Sequence, residues 1–553
     1  MKNRYLKFVE DISKLCVFPI LIYFILFCIL TYPLIFKFHT YLFADTGDGL
    51  QNVWNIWWVN KAVTLLHQSP WYTTYLHYPQ GTSLLGHTLN PFNGFFGIFL
   101  LKFLSLIETH NVIVIFSFVI GGLTAFWLAY SLTKSYFSSF IAGYIFTFSQ
   151  YHFMHAEGHL QLVSLEWIPL FILIWYLLII KPTISRAILS AVVLFSVLLC
   201  DHYYFLYCFL TAILMILWYA FSTKDFLFFL KKRYLPVFSI FIFVCLITSG
   251  ILVASLLQLN RQDPLLGSHN PSAFSLDLLA PFIPGGHWRF ASLTQFYWSR
   301  LPGNINESSV YIGLSVIFLI GYVWFNRKKC HLQVPSLPLW YVILFFFGIM
   351  ALGPALHIVG KCIYAGIMPY DILQILFPPL RLSGCPVRMM VMVMLSASVI
   401  SAIGLCMLFQ RLKSTRVLST GAILFGILLL FDTLPKPIPS SRIIVPEYIN
   451  LLKSLPENGG IIDTITPAPI ALYYQTIHKK PLGDGYISRY PTSVYDEYLK
   501  KVKAIQTHEY STLLKEYNIY YLLTSSHITD ISSDSLKSLY ENNDIRLFQI
   551  MKE

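Results

Sequence analysis

Two aspartates open the chemistry of this chain. Asp45 and Asp48 follow the first long apolar run, within Phe43-Ala44-Asp45-Thr46-Gly47-Asp48-Gly49-Leu50-Gln51-Asn52. Asp48, Asn52 and Asn55 recur at i, i+4 and i+7, so on a helix they share one face. A carboxylate held at the outer end of a membrane span, with amides beside it, suits proton abstraction from a hydroxyl group. The plainer role is a helix cap: Asp45 or Thr46 would close the helix start and Asp48 would favour its positive end. Trp54, Trp57 and Trp58 follow on the same segment and are expected at the membrane–water interface, where indole rings settle.

A second group of chemistry-bearing residues lies further along. The stretch Gln150-Tyr151-His152-Phe153-Met154-His155-Ala156-Glu157-Gly158-His159 carries metal-ligand residue types, and Glu157 with His155 are the candidates for a divalent metal. The order is not the H-E-x-x-H of zinc proteases, so hydrogen bonding at a helix end and a solvated loop remain open readings. Arg381 and Arg388 flank a Pro-bounded turn, Pro378-Pro379-Leu380-Arg381-Leu382-Ser383-Gly384-Cys385-Pro386-Val387-Arg388. A guanidinium fork fits a phosphate bidentately; contact with lipid headgroups is the simpler alternative. Asn52, His159 and Glu307, with the two arginines, are the expected substrate contacts.

These residues need a membrane scaffold to hold them. Of 553 residues, 56% are hydrophobic and only 12% charged, the balance of a polytopic membrane protein. Apolar runs of roughly 18–22 residues, long enough to cross the hydrocarbon core, recur up to residue 433. The net charge of +12 is not a nucleic-acid signal: residues 434–553 carry 13 basic and 13 acidic groups, so the excess lies wholly in the apolar part. There it orients the chain. Treating 92–107 as membrane-lying gives eleven spans. The inner side then holds 17 basic residues, among them Lys2, Arg4, Lys7, Lys14, Lys231, Lys232, Arg233, Arg411 and Lys413, against 9 outside. The N-terminus is expected inside, and the aspartates, histidines and arginines outside. The domains expected are 1–433, transmembrane, and 434–553, a small extracytoplasmic α/β domain with strand-like runs such as Gly460-Ile461-Ile462-Asp463. The nine cysteines show no ligand spacing; Cys362 and Cys385 share one outer loop and invite a disulfide.

The chain resembles the GT-C superfamily of integral-membrane glycosyltransferases, in particular an uncharacterised bacterial branch related to YfhO-type proteins. The resemblance rests on Gly47-Asp48-Gly49-Leu50-Gln51-Asn52-Val53-Trp54, Gly158-His159-Leu160-Gln161, Glu307-Ser308-Ser309-Val310-Tyr311-Ile312-Gly313, Leu352-Gly353-Pro354, the arginine turn, and Gly485-Tyr486-Ile487-Ser488-Arg489. It implies an α-helical polytopic fold in the cytoplasmic (inner) membrane and a polyprenyl-phosphate-linked sugar donor. It also implies a catalytic aspartate in the first outer loop and inverting transfer to a lipid or glycan acceptor on the outer face. Asp48 fits that aspartate better than Asp45. The family's second-loop acidic pair is replaced here by Glu157 among histidines. A non-enzymatic transporter or flippase for a lipid-linked glycan is the alternative, though such proteins show internal repeats, and none is visible.

Overall fold

The computed structural model describes residues 10–329, 336–382, 384–411, 415–457, 459–526 and 535–552. Lys2, Arg4, Lys7, Lys413 and Ser383 of the arginine turn lie outside the described residues. Among those described, six helices are long and apolar enough to cross a membrane: Glu10–Leu30, Leu106–Thr133, Leu160–Ile180, His202–Thr223, Leu235–Gln262 and Pro386–Arg411. The chain is a multi-pass membrane protein. The other five expected spans are shorter helices, from 12 residues at Tyr136–Thr147 to 19 at Thr415–Thr433. The 92–107 segment contains the helix Pro91–Leu100, which at 1.5 Å per residue reaches about half the hydrocarbon thickness.

The chain forms two compact units. The first comprises 1–37, 112–251 and 269–438; the second comprises 38–111, 252–268 and 439–553. The tail therefore shares its unit with the segment 38–111 and with a short piece near residue 260.

In the first unit the helix Met390–Arg411 is buried along nearly its whole length. Its run of small residues, Ser396, Ala397, Ser398, Ser401 and Ala402, permits close helix packing where burial of apolar surface supplies little drive.

The second unit is built on a four-stranded sheet, in the order Gly460–Asp463, Ile519–Ser525, Ile545–Ile550, Leu536–Glu541. The first two strands pair in parallel and the rest antiparallel. The helices Ala468–His478 and Asp48–Asn60 pack against one another here. Trp54 and Trp58 stack at 5.9 Å and are fully buried among Leu472, Leu482, Tyr521 and Leu523. This corrects the interfacial placement expected for these two rings: the tail supplies apolar partners that a first-loop helix alone would lack. A buried amide closes the joint. Gln475 accepts from the Trp54 indole N–H at 2.6 Å and donates to the carbonyls of Tyr75 (2.6 Å) and Lys480 (3.0 Å). The helix Pro91–Leu100 lies equally close, because a Cβ on Gly94 would come within 2.6 Å of Val59.

Candidate functional site

Asp48 begins the helix Asp48–Asn60 and its side chain is half-buried. Asp45 precedes it and caps the turn: one carboxylate oxygen accepts from the backbone N–H of Gly47 at 3.0 Å and of Gly49 at 3.2 Å. Asn52 shares the Asp48 face as its spacing predicts, and its amide donates to the backbone carbonyl of Asp48 at 2.9 Å. Asn55 donates to the carbonyl of Thr88 at 2.9 Å. Its side-chain oxygen faces Nε2 of His87 at 3.0 Å. The other ring nitrogen of His87 accepts from the backbone N–H of Ser488 at 3.1 Å, which fixes Nε2 as the protonated nitrogen. Burial pushes His87 down to about 3, against the opposing pull of Asp48, so its imidazole is neutral. The Thr88 and Ser488 hydroxyls meet at 2.9 Å. Tyr486, two residues earlier, feels the charge of both Asp48 and Arg489; burial first, then Asp48, raises its phenol. Arg489 is buried and donates to the carbonyl of Ser488 at 2.7 Å. Asp48 and the segment Gly485-Tyr486-Ile487-Ser488-Arg489 thus lie together in the second unit, some 440 residues apart in sequence.

A second polar centre lies in the first unit. Asn304 caps the short helix Ile305–Ser308 by accepting from the N–H of Glu307 at 2.7 Å, which fixes that residue's direction. Arg388 sits in the turn Pro386–Met389 and grips Glu307 with two nitrogens, Nε lying 3.0 and 3.1 Å from the two carboxylate oxygens and Nη2 closing on one of them. Both side chains are buried. Burial opposes ionisation of Glu307, but the Arg388 charge and then His155 outweigh it and hold the carboxyl at about 2. The ring of Tyr203 lies 5.6 Å from the guanidinium. Arg381, by contrast, is exposed.

His155 ends the helix Gln150–His155, and its Nδ1 stands 3.3 Å from Nδ1 of His159. Its Nε2 is buried without a hydrogen-bond partner, and burial lowers its basicity. His155, His159 and Glu307 bring one ligating atom each within 4.8 Å of one another. Glu157 turns elsewhere: it meets Nδ1 of His287 at 2.8 Å, while Nε2 of His287 faces Asn306 at 3.0 Å. His152 lies between the carbonyls of Thr147 and Val163, and Asp201 caps the helix His202–Thr223 through the N–H groups of Tyr203 and Tyr204. Cys362, exposed, and Cys385, buried, are not joined in the disulfide their shared loop invited.

Sequence reasoning passed over His87 as a positioning group. His87-Thr88-Leu89-Asn90-Pro91 stood out only as a polar patch, and its partner Ser488 lies 401 residues on. It also passed over Asp432, which accepts from the Tyr311 hydroxyl at 2.9 Å and from the Ser315 N–H at 2.7 Å. An ionisable group at the end of an apolar run was the available signal.

The fold is that of the GT-C glycosyltransferases. An arabinofuranosyltransferase, AftD, from Mycobacteria superposes with a TM-score of 0.60 at 12% identity over 97% of this chain; the chain spans 41% of that protein's length. ArnT from Cupriavidus metallidurans, bound to undecaprenyl phosphate, gives 0.49 at 8% identity, covering 97% of this chain and 98% of its own. The oligosaccharyltransferase of Archaeoglobus fulgidus gives 0.44 at 12%, covering 93% and 69%. The chain belongs to the family described as a domain of unknown function (DUF6311), whose model matches residues 20–431. No curated protein matches the sequence.

Proposed function

We propose that the protein is a membrane glycosyltransferase that moves a sugar from a polyprenyl-phosphate-linked donor to a lipid or glycan acceptor on the outer face of the cytoplasmic membrane. The observation that carries this reading is the built surrounding of Asp48: a half-buried carboxylate at a helix start, backed by Asn52, Asn55, His87 and Ser488 and flanked by Tyr486 and the buried cation Arg489. Asp48 accepts the proton of an acceptor hydroxyl as that oxygen attacks the anomeric carbon. The bond from that carbon to the phosphate oxygen breaks, and the lipid phosphate departs with the electron pair. A phosphate already leaves readily, so one base and nearby positive charge suffice. Displacement from the opposite face makes the transfer inverting. His87, held neutral, keeps the Asp48 helix and the 485–489 segment in register.

The eleven-span topology, the extracytoplasmic position of 434–553, and phosphate contacts by Arg381 and Arg388 within their own unit belong to the same proposal. Arg381 is the exposed cation of that turn, whereas Arg388 is already neutralised by Glu307. His159 and Glu307 act in that unit as well.

The test is release of polyprenyl phosphate by the purified full chain from synthetic polyprenyl-phosphate sugars, with envelope lipids and glycans as acceptors. Asp48→Asn should lose about 10²–10⁴-fold in rate with the fold intact, while Asp45→Ala keeps much of the rate. If neither substitution slows transfer, the mechanism is wrong.

A further inference from the structure

We propose that His155, His159 and Glu307 form a binding site for one divalent transition-metal ion of the zinc class. The proposal goes beyond the Asp48 reading and stands or falls without it. One ligating atom from each residue lies within 4.8 Å of the other two. The Nδ1 atoms of the two imidazoles stand 3.3 Å apart. Two nitrogens bound to tetrahedral zinc at 2.0–2.1 Å are themselves separated by about 3.3 Å, so the histidine pair already has the spacing of a chelate. The other separations in the group, all within 4.8 Å, close toward that value when an ion binds.

The hydrogen bonding of the pair leaves a gap that an ion fills. Two neutral imidazoles can share one N–H···N bond. Whichever ring donates, Nε2 of His155 remains buried without a partner, which costs stability. Ligation through that nitrogen removes the loss, and Nδ1–H of His155 is then free to donate to His159. Ligation through the two Nδ1 atoms is the alternative mode: it uses the chelate spacing, and Nε2 of His155 then stays a buried N–H without a partner.

The surroundings suit a dication. Arg388 fixes the Glu307 carboxylate, but its contacts are uneven. One oxygen takes two nitrogens and the other takes only Nε, at 3.1 Å, so the second oxygen keeps a lone pair for a cation. With one carboxylate and two imidazoles the donor set favours zinc, cobalt or iron over magnesium or calcium. Three protein ligands leave a fourth position for water or an anionic oxygen, the pattern of an open zinc site.

The experiment uses the full chain in detergent, stripped with EDTA and titrated with Co²⁺. The expected result is one equivalent bound, with the visible absorption of a four-coordinate ion that Zn²⁺ then abolishes. X-ray absorption should detect imidazole in the first coordination shell. His159→Gln, at the half-exposed position of the three, should weaken binding at least tenfold. Glu157→Gln, which alters only the contact with His287, should leave it intact. The absence of stoichiometric cobalt, or an ion without imidazole, overturns the proposal on the wild-type protein alone. So does binding that survives His159→Gln but is lost in Glu157→Gln, which would place the ion elsewhere in the loop.

Discussion

Glu307→Gln is the sharpest perturbation of the first unit, because it strips a buried guanidinium of its counter-charge while keeping the volume of the side chain. Its size follows from the carboxyl itself. Burial alone would raise the Glu307 pKa, yet the folded protein holds it at about 2 against an ordinary 4.5. At about 1.36 kcal/mol per pH unit this corresponds to roughly 3 kcal/mol of preference for the ionised, paired state. Removing one partner of a buried pair costs about 3–5 kcal/mol, so the two routes agree. Because the folded pKa is lowered, the stabilisation is complete above pH ~4.5 and drains away as pH falls toward 2. Glu307→Gln should therefore lower the unfolding midpoint of the detergent-solubilised protein by several degrees at pH 7 and remove that share of its acid sensitivity. Glu307→Gln combined with Arg388→Met, which deletes both charges, should recover much of the loss, since apolar replacement of a buried pair is often neutral. Wild-type melting of Glu307→Gln at pH 7, or a double variant as weak as the two single losses added, would refute the reasoning.

Four further outcomes are expected. Gln475→Leu strands the Trp54 indole N–H and the Lys480 carbonyl, while the Tyr75 carbonyl keeps the Leu482 N–H as donor; at about 1–3 kcal/mol for each of the two orphaned groups, thermal melting should register a clear loss. Asp45→Ala removes the acceptor of the Gly47 and Gly49 N–H groups and should cost about 0.5–2 kcal/mol, read by the same melt. Arg381→Lys removes the guanidinium fork of the exposed cation in that turn and should weaken apparent donor affinity in the transfer assay; unchanged affinity removes Arg381 from donor binding. A cysteine at Ile444, exposed in the second unit, should react with a membrane-impermeant maleimide added to intact cells; labelling only after lysis would invert the topology.

The helical membrane architecture was legible because its signal is local. Runs of apolar residues declare themselves within twenty positions, and the start of the Trp helix at Asp48 follows from the Asp-Thr-Gly-Asp spacing. The Asp48, Asn52 and Asn55 face was read from period alone and is the face turned to His87 and Thr88. What lies across that face was not legible, because Ser488 and Gln475 are each 400 or more residues from their partners. Trp54 and Trp58 were misplaced for the same reason. An indole follows the nearest apolar surface, and no local pattern reveals that a polar-looking tail carries Leu472, Leu482 and Leu523 to cover it.

The acids expected on the outer side were the ambiguous residues, since a carboxylate near a membrane surface reads as chemistry whether it performs any or not. The structure separates them by what their oxygens meet. Asp45, Asp201 and Asp432 accept backbone N–H groups at turns and helix starts. Asp277 accepts from the Tyr297 hydroxyl and the Gly360 N–H, and Glu157 meets His287. Each of these contacts ties a loop or helix start to another backbone segment or side chain, which is how a fold uses a charge it cannot hydrate. Glu307 differs because it joins a buried cation and two imidazoles, a set richer than a loop tie requires. Asp48 differs in another way. The groups around it, Asn52, Asn55 and His87, hold its helix through backbone carbonyls and one another, which fixes the position of the carboxylate while leaving it half-exposed. A positioned carboxylate at a helix start is what proton abstraction requires, and the proposal rests on Asp48 because Asp45 is already committed to the Gly47 and Gly49 N–H groups.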